Sequence, residues 1–363
     1  MEKIFADRAE AVHKEYLERG TFFLERDYIT ELNRELKLFP RIIGDLLTAG
    51  DELRKDPAAA ETALAVSRAM EDRQAFMAGL QDLTFPDQYP LFPLLCLLPT
   101  IRNTYRFLKD RNVPEDIIAA TLGQYEACVF IYQKRYDRLG LNRRYFDWLQ
   151  HYVDCEILNI NRLRFEIMTL KDPVCLLEER DSGTQFLVYG SAAKETRPGK
   201  STGLITGKRV MPDGQLCEQE TCFPEEEYKA FIQPGDTCLS VHIPDEGDFS
   251  ESACEGSYRR ALEVFGSCFP ELKIMGFHCE SWMLSPQLKE YLSPSSNILS
   301  FSDKYLKYPV ASKGEDVLNF VFLMKYSSYD DLAEDTSLQR KLKKLYQNGG
   351  RLYEYGGLRY AAG

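Results

Sequence analysis

The chain has 363 residues, of which 44% are hydrophobic and 28% charged, a composition typical of a soluble folded protein with two domains. Its 56 acidic and 45 basic residues give a net charge of −11, which argues against binding to nucleic acid through the phosphates. The longest apolar run, Tyr89 to Ile101, contains three prolines and is shorter than the roughly 20 residues that cross a membrane.

The first part of the chain predicts helices. Pro114 stands in the position that proline tolerates at the start of a helix. Helical spacing of apolar residues, or a run of good helix formers, occurs in Ala9 to Leu17, Ile29 to Leu38, Ala58 to Leu80, Ile117 to Leu139 and Tyr145 to His151. The pattern predicts an all-helical N-terminal domain over residues 1–153.

After about residue 155 the pattern becomes that of strands. Ile157 to Ile167 alternates apolar and polar residues, as a half-buried strand does. Val174 to Leu177 and Gln185 to Tyr189 flank a turn-like segment and predict a hairpin. Gly190 to Arg209 is rich in small and charged residues and predicts an exposed loop with a short strand around Leu204-Ile205.

A strand, a tight loop and a helix are predicted next. Thr237 to Ile243 alternates, so that His242 faces away from Val241. Pro244 to Gly247 forms the loop, and Asp248 with Glu251 resembles a capping box at the start of the helix.

A second strand, Lys273 to Ser281, follows that helix. His278 and Glu280 share one of its faces, whereas Cys279 lies on the other face beside Phe277. The remaining predicted elements are a short helix at Pro286 to Leu292 and strands at Ile298 to Phe301, Val317 to Lys325 and Leu352 to Tyr360. This order of elements indicates an α+β or α/β domain with a mixed sheet.

The N-terminus and the cysteines both indicate a reducing, cytoplasmic location without a membrane partner. The first eight residues are charged and do not form the apolar core of a signal peptide. Ten cysteines are scattered, most of them within apolar patterns, so we expect unpaired thiols. Cys217 and Cys222 could supply half of a zinc site, but no second pair follows at a suitable spacing, and we predict no metal.

Two ordered groups of residues stand out along the chain. The first is Gly140-Leu141, Trp148 and Arg162-Leu163-Arg164-Phe165-Glu166, and the second is Val241-His242-Ile243-Pro244-x-x-Gly247, Cys254, Ser257, Phe269-Pro270-Glu271, Cys279-x-Ser281-Trp282-x-Leu284-x-Pro286-x-Leu288, Leu292, Ser296-Asn297-Ile298 and Phe301. Together they resemble a family of acyltransferase-domain proteins with a helical N-acyltransferase-type N-terminal domain and a GNAT-like C-terminal domain. The resemblance covers most of the chain.

The resemblance implies an α+β fold, with an all-helical domain over residues 1–153 and a GNAT-like mixed β-sheet domain flanked by helices over residues 154–363. In that fold two neighbouring parallel strands part, and acyl-CoA lies in the opening. Acetyl-CoA or another acyl-CoA is therefore the implied co-substrate, with its pyrophosphate near the start of a helix. The residues that the resemblance places against this co-substrate are Val241, Ile243, Gly247, Phe249 and Ser250.

The same segment departs from the usual GNAT pattern, because it lacks a Q-x-x-G-x-G/A loop. Three carboxylates, those of Asp245, Glu246 and Asp248, occupy the corresponding stretch, and they repel a pyrophosphate. Three alternatives follow: CoA binds differently, the acids hold a cationic acceptor, or the fold has lost its cofactor.

Four residues are candidates for proton transfer. His242, at the end of its strand, is the predicted base, helped by Glu280 or a water molecule. His278 and Glu280 share a face and form a second candidate pair. Tyr291 lies about where GNAT enzymes often place a tyrosine that protonates the departing thiolate, a role that the resemblance implies.

The leading hypothesis is an acyl-CoA-dependent N-acyltransferase in which a small-molecule or peptide amine attacks the thioester directly. A non-catalytic GNAT-shaped protein that binds a ligand or a partner is the first alternative. A hydrolase that uses Cys279 and His278 is the second, and the alternation of the strand disfavours it by pointing the two side chains apart.

Overall fold

The computed structural model describes residues 18–70, 84–190, 204–245, 247–322 and 326–361, and the chain divides into two compact units, Met1–Ile160 and Asn161–Gly363. The predicted helix at Ala9 to Leu17, the last part of the one at Ala58 to Leu80, and the acidic residue Glu246 lie outside the described residues.

The described part of the first unit is helical, as predicted, and ends in one short strand. Its elements are α1 (Arg26–Leu36), α2 (Ile43–Arg54), α3 (Pro57–Ala69), α4 (Phe92–Asp110), α5 (Glu115–Leu122), α6 (Gln124–Tyr136), α7 (Arg143–Val153) and β1 (Ile157–Ile160). Two helices begin at a capping side chain, because Asp56 accepts from the N–H of Ala59 and Asn142 from that of Tyr145. The single helix predicted over Ile117 to Leu139 is two helices, which meet at Gly123.

Helix α4 forms the centre of this unit. Its residues Phe92 to Ile101, which belong to the longest apolar run of the sequence, are buried. Pro93 lies in the first turn, where a missing N–H removes no hydrogen bond, whereas Pro99 lies inside the helix. None of the helices in the described residues has the length and apolarity that a membrane crossing requires.

The second unit contains ten strands and five α-helices among its described residues. The strands are β2 (Leu163–Thr169), β3 (Val174–Glu179), β4 (Gln185–Tyr189), β5 (Leu204–Val210), β6 (Leu216–Pro224), β7 (Tyr228–Ile232), β8 (Thr237–His242), β9 (Ile274–Ser281), β10 (Leu306–Pro309) and β11 (Tyr355–Tyr360). The helices are α8 (Glu251–Cys268), α9 (Leu288–Tyr291), α10 (Asn297–Ser302), α11 (Asp316–Val321) and α12 (Ser337–Gln347).

These strands form the mixed sheet that was predicted and a second, antiparallel sheet. The unit contributes β2, β8, β9, β11 and β10, in that order, to the first sheet, and β6, β5, β4, β3 and β7 form the second. Strands β8 and β9 are parallel because the crossover helix α8 connects them, and the other neighbouring pairs of these strands are antiparallel. The hairpin of β3 and β4 is confirmed.

Several predicted strands are wrong or misplaced. The strand at Ile298 to Phe301 is helix α10, which begins where Ser296 accepts a hydrogen bond from the N–H of Ile298. The strand at Val317 to Lys325 is helix α11 as far as Val321, and residues 323–325 are outside the described part. Short apolar runs of this kind have the same composition in a buried helix turn as in a strand.

Two other strand boundaries also differ from the prediction. Ile157 to Ile167 is not continuous, because Asn161 adopts a left-handed conformation (φ 54°) just before β2. The last strand begins at Tyr355 instead of Leu352. Strands β6, β7 and β10 and helix α12 have no counterpart among the predicted elements.

Different layers cover the two faces of the first sheet. Helix α8 covers the face of Leu239 and Val241, where the ring of Tyr258 lies 4.7 Å from that of Phe277. Arg359 adds two hydrogen bonds to Glu255 of α8, at 2.8 and 2.7 Å. On the opposite face, apolar residues of the second sheet pack in one cluster with Cys238, Tyr308 and Leu358. The opposite face is the one that carries His242 and His278.

Gly356 on β11 has no room for a side chain. A Cβ atom there would overlap the ring of Tyr308, which reaches across β11 from β10. We expect Gly356→Ala to lower the free energy of unfolding by about 1–3 kcal/mol, since overpacking displaces neighbouring side chains.

The control is Gly266→Ala in α8, where no atom lies within 4 Å of the added carbon. This exposed change should raise stability by about 0.5–1 kcal/mol. Urea unfolding measures both, and a Gly356→Ala protein as stable as the wild type would contradict the close approach.

Candidate functional site

Strands β8 and β9 run side by side over only part of their length. Their ladder pairs Thr237 with Ile274 and, after a shift of register, ends with Ser240 opposite His278. Strand β8 nevertheless pairs with β2 as far as His242, and β9 pairs with β11 as far as Ser281. The two strands therefore part, and the opening between residues 241–242 and 279–281 is termed the fork.

His242 lies at the end of the β8 arm of the fork and is paired with a carboxylate. Its Nε2 lies 2.7 Å from Oε2 of Glu166, which comes from the neighbouring strand β2. The side chains are 30% and 17% exposed, so the pair is partly shielded from water. A carboxylate at this distance fixes the orientation of an imidazole ring and the tautomer that it adopts. Glu166 was not predicted as a site residue.

His278 lies at the base of the fork within a hydrogen-bonded cluster. Its Nε2 is 3.0 Å from the hydroxyl of Tyr308 and 3.4 Å from Oδ2 of Asp172, and Tyr308 donates to the same Oδ2 at 2.7 Å. Burial is the main cause that raises the pKa of Tyr308 well above its ordinary value, and the hydrogen bond to Asp172 adds to it. The phenol therefore keeps its proton. That proton points to Asp172, and His278 must therefore donate its Nε2–H to the phenol oxygen. Sequence patterns gave no signal for Asp172 or Tyr308.

The cluster makes stability depend on pH. The contact with Nε2–H of His278 at 3.4 Å, and then the hydrogen bond from Tyr308, lower the pKa of Asp172, whereas partial burial opposes them. Because the folded pKa lies below the unfolded one, the carboxylate stabilises the protein above the unfolded pKa, and this contribution is lost as pH falls through the folded pKa. We expect Asp172→Asn to be less stable than the wild type near neutral pH.

The difference should shrink as pH falls below the ordinary aspartate pKa of about 3.9. Chemical denaturation of both proteins over a range of pH measures it. A difference that stays constant with pH would contradict the stabilisation assigned to the Asp172 carboxylate.

Glu280 lies on the β9 arm, opposite Gly356 of β11. The residue is exposed, yet its carboxylate loses enough hydration to raise its pKa, and Asp172 and Asp316 act in the same direction while His278 opposes them. Buried Glu354 lies close enough to be affected by Glu280, and its pKa is also raised, mainly by burial. This arm therefore carries carboxylates that a positive charge would stabilise.

Arg162 lies beneath the loop between β8 and α8. Its Nη2 donates to the carbonyl of Pro244 at 2.8 Å, and its Cζ is 5.1 Å from the centre of the Phe249 ring. Gly247, with φ of 101°, passes over the same side chain. In the described part of the chain, Nε and Nη1 of Arg162 are buried without an acceptor. Burial lowers the pKa of this arginine, an effect that Asp245 and Asp248 partly offset.

The start of α8 differs from the predicted capping box. Ser250 is the cap, and its hydroxyl accepts from the N–H of Ala253. Asp248 accepts from the N–H of Ser250 at 2.9 Å and from its hydroxyl at 2.7 Å, while Glu251 pairs with Lys304. A carboxylate thus occupies the Ser250 N–H that the resemblance offers to a pyrophosphate.

The other predicted site residues are distributed around the fork or away from it. Val241 is buried on the α8 side of the β8 arm, and Ile243 follows the last residue of β8. Tyr291 ends α9, where its carbonyl accepts from Lys341, and burial raises the pKa of its phenol. None of the hydrogen bonds between described residues joins that phenol to His242, His278 or Glu280.

The cysteines do not form a nucleophilic site. All ten are free, and Cys217 and Cys222 lie on β6. Cys279 is fully buried, and burial raises the pKa of its thiol to about 12, so the thiolate is disfavoured. It points away from His278, as strand alternation predicted. The structure does not support the hydrolase alternative.

Comparison with known families follows the division of the chain. A model of the N-acyltransferase N-terminal domain matches residues 27–155, and one of the GNAT-like C-terminal domain matches residues 157–359. The chain belongs to the GNAT-like acyltransferase family. Both domain types and their order confirm the predicted resemblance, and this pair of domains is that of an acyltransferase.

Solved structures share the fold. An acyltransferase in complex with decanoyl-CoA and teicoplanin is 21% identical, with a TM-score of 0.63 over 93% of this chain and 88% of its own. A mutant acyltransferase in complex with octanoyl-CoA is 21% identical, with a TM-score of 0.64 over 92% and 88%. An acyltransferase in complex with decanoyl-CoA is 19% identical, with a TM-score of 0.56 over 92% and 99%. No curated protein matches the chain.

Proposed function

We propose that this protein is an acyl-CoA-dependent N-acyltransferase that transfers an acyl group to a small-molecule or peptide amine. The fork, with the His242–Glu166 pair on one arm, is the observation that carries the proposal. Proteins of the same fold are in complex with decanoyl-CoA and octanoyl-CoA, which supports a medium-chain donor beside acetyl-CoA.

The acyl-CoA would lie with its extended pantetheine arm in the fork. The ladder between β8 and β9 ends at Ser240 and His278, so main-chain groups of Val241 and its neighbours can pair with the amides of that arm. The pyrophosphate would lie by the loop of Gly247, Phe249 and Ser250. Arg162 is the group in this loop region best suited to bind the pyrophosphate, because its Nε and Nη1 have no acceptor in the described residues. The backbone N–H of Ser250 is less suited, because it already donates to Asp248.

The reaction requires a base for an amine that arrives as an ammonium ion. His242 accepts a proton from the ammonium, and Glu166 stabilises the imidazolium that results. The neutral amine then attacks the thioester carbonyl, with no covalent intermediate on the protein. Glu280 and the neighbouring carboxylates attract the cationic acceptor, which gives the β9 arm a role in binding the amine.

A non-catalytic binding protein is the second candidate. It is favoured by the carboxylate of Asp248, which occupies a helix N-terminal N–H that would otherwise hold a phosphate. The two candidates agree on the fold and differ in whether the thioester is cleaved.

The test combines binding with turnover. Decanoyl-CoA at 100 times its dissociation constant should stabilise the folded protein by about 2.7 kcal/mol, which thermal unfolding detects. Release of free CoA thiol in the presence of a panel of primary amines measures the transfer. Stabilisation without thiol release would favour the binding protein, and the absence of both, with acetyl-, octanoyl- and decanoyl-CoA, would overturn the proposal.

A further inference from the structure

We infer that His278 carries the second proton of the acyl transfer from the attacking nitrogen to the departing sulfur. This inference rests on the proposed function. It assigns a shuttle to a buried residue, beside the base on the other arm of the fork.

The position of His278 is the first observation. It forms the last pair of the β8–β9 ladder, with Ser240, and therefore lies where the strands begin to part. Its side chain is on the same face as His242 and Glu166, because Ser240 is opposite both Glu166 and His278. The residue is only 5% exposed, so a proton that it holds is kept from bulk water.

The protonation pattern of the ring is the second observation. Tyr308 donates to Asp172 and accepts from Nε2–H of His278, so the neutral ring has its lone pair on Nδ1. Among the described residues, this buried Nδ1 has no hydrogen-bond partner. An unpaired buried polar atom is destabilising, and a hydrogen-bond donor on the ligand would remove this cost.

The chemistry needs two proton acceptors. An ammonium ion must lose two protons to become an amide, and His242 takes the first before attack and releases it to solvent. The nitrogen then bonds to the carbonyl carbon, and the carbonyl π electrons move to oxygen. Nδ1 of His278 takes the second proton from the positively charged nitrogen.

The shuttle is completed when the carbonyl re-forms. The carbon–sulfur bond breaks, and the sulfur accepts the proton from Nδ1–H, which returns His278 to its neutral form. The products are the amide, the free CoA thiol and one proton released through His242. Asp172 and Tyr308 are positioning residues, because they fix the tautomer and stabilise the transient imidazolium.

The test uses His278→Gln, whose side-chain N–H can still donate to Tyr308. The variant is assayed with decanoyl-CoA and two nucleophiles. One is the primary amine that the wild-type protein acylates fastest, and the other is hydroxylamine, which is uncharged near pH 7. His242→Ala should regain activity with hydroxylamine, because that nucleophile needs no first deprotonation. His278→Gln should lose about 100-fold in kcat with both nucleophiles, at unchanged KM for decanoyl-CoA.

Two results would overturn the inference and leave the proposed function intact. One is a kcat of His278→Gln equal to that of the wild type. The other is that hydroxylamine restores the activity of His278→Gln as fully as it restores that of His242→Ala. Tyr308→Phe covers the case in which His278→Gln does not fold. It should lower kcat about tenfold and shift the pH profile of kcat, whereas a structural role alone would change only the melting temperature. Nitrogen NMR of the imidazole gives an independent test, since a proton on Nδ1 in the neutral ring would also overturn it.

Discussion

Replacement of His242 by alanine is expected to lower kcat for acyl transfer about 1,000-fold, within the range that a positioned general base contributes. His242 lies at the open end of the β8 arm, 2.7 Å from Glu166, and no phosphate of the co-substrate needs to contact it. The affinity for decanoyl-CoA should therefore stay the same. Steady-state assay of thiol release gives kcat, and thermal unfolding with the ligand gives the affinity.

Two controls separate a base from a structural role. Added imidazole should restore part of the activity of His242→Ala, because it supplies the missing base. Glu166→Gln should lower kcat by about 10- to 100-fold, since the amide still positions the ring but does not stabilise its charge. Unchanged turnover in His242→Ala would refute the assignment and move the base to the β9 arm.

Replacement of Arg162 by methionine should weaken decanoyl-CoA binding at least about 100-fold, because hydrogen bonds to a charged group contribute about 1.5–3 kcal/mol each and two N–H groups are available. Methionine keeps most of the apolar volume. The unliganded protein should lose little stability, since a buried charge with unpaired N–H groups is not strongly stabilising. Isothermal titration gives the dissociation constants.

The control ligand for this prediction is S-decanoyl-pantetheine, which carries the same acyl group but lacks the pyrophosphate and the nucleotide. Its affinity should be the same for wild type and Arg162→Met if the guanidinium binds phosphate. An equal loss for both ligands would show that the substitution distorts the loop, and no loss for decanoyl-CoA would place the phosphates elsewhere.

The face of the sheet that carries the site could be predicted from the sequence, because alternation along a strand is a local property. Thr237 to His242 and Ile274 to Ser281 are strands as expected, and His242, His278 and Glu280 point to the same side. The apolar neighbours of Cys279 also indicated its burial.

The partners of these residues could not be predicted in the same way. Glu166, Asp172 and Tyr308 come from other parts of the chain, and the register of β2, β10 and β11 brings them to the two histidines. Gly356 illustrates the difficulty. The side chain of Tyr308 reaches His278 across Gly356, because a glycine has no side chain to block it, and this is seen once the pairing of β10 with β11 is known. The helices α10 and α11 were missed since six residues are too few to display a helical period.

The short ladder at the base of the fork has a mechanical consequence. His242 and Glu166 belong to the ribbon of β2 and β8, whereas His278, Glu280 and Tyr308 belong to the ribbon of β9, β11 and β10. Among the described residues, the backbone ladder that joins the two ribbons runs from Thr237 to Ser240 of β8. A change in their angle alters the distance between the two histidines without breaking the bonds that orient either one. We therefore expect substitutions far from the fork to change this spacing while the hydrogen bonds of each histidine stay intact.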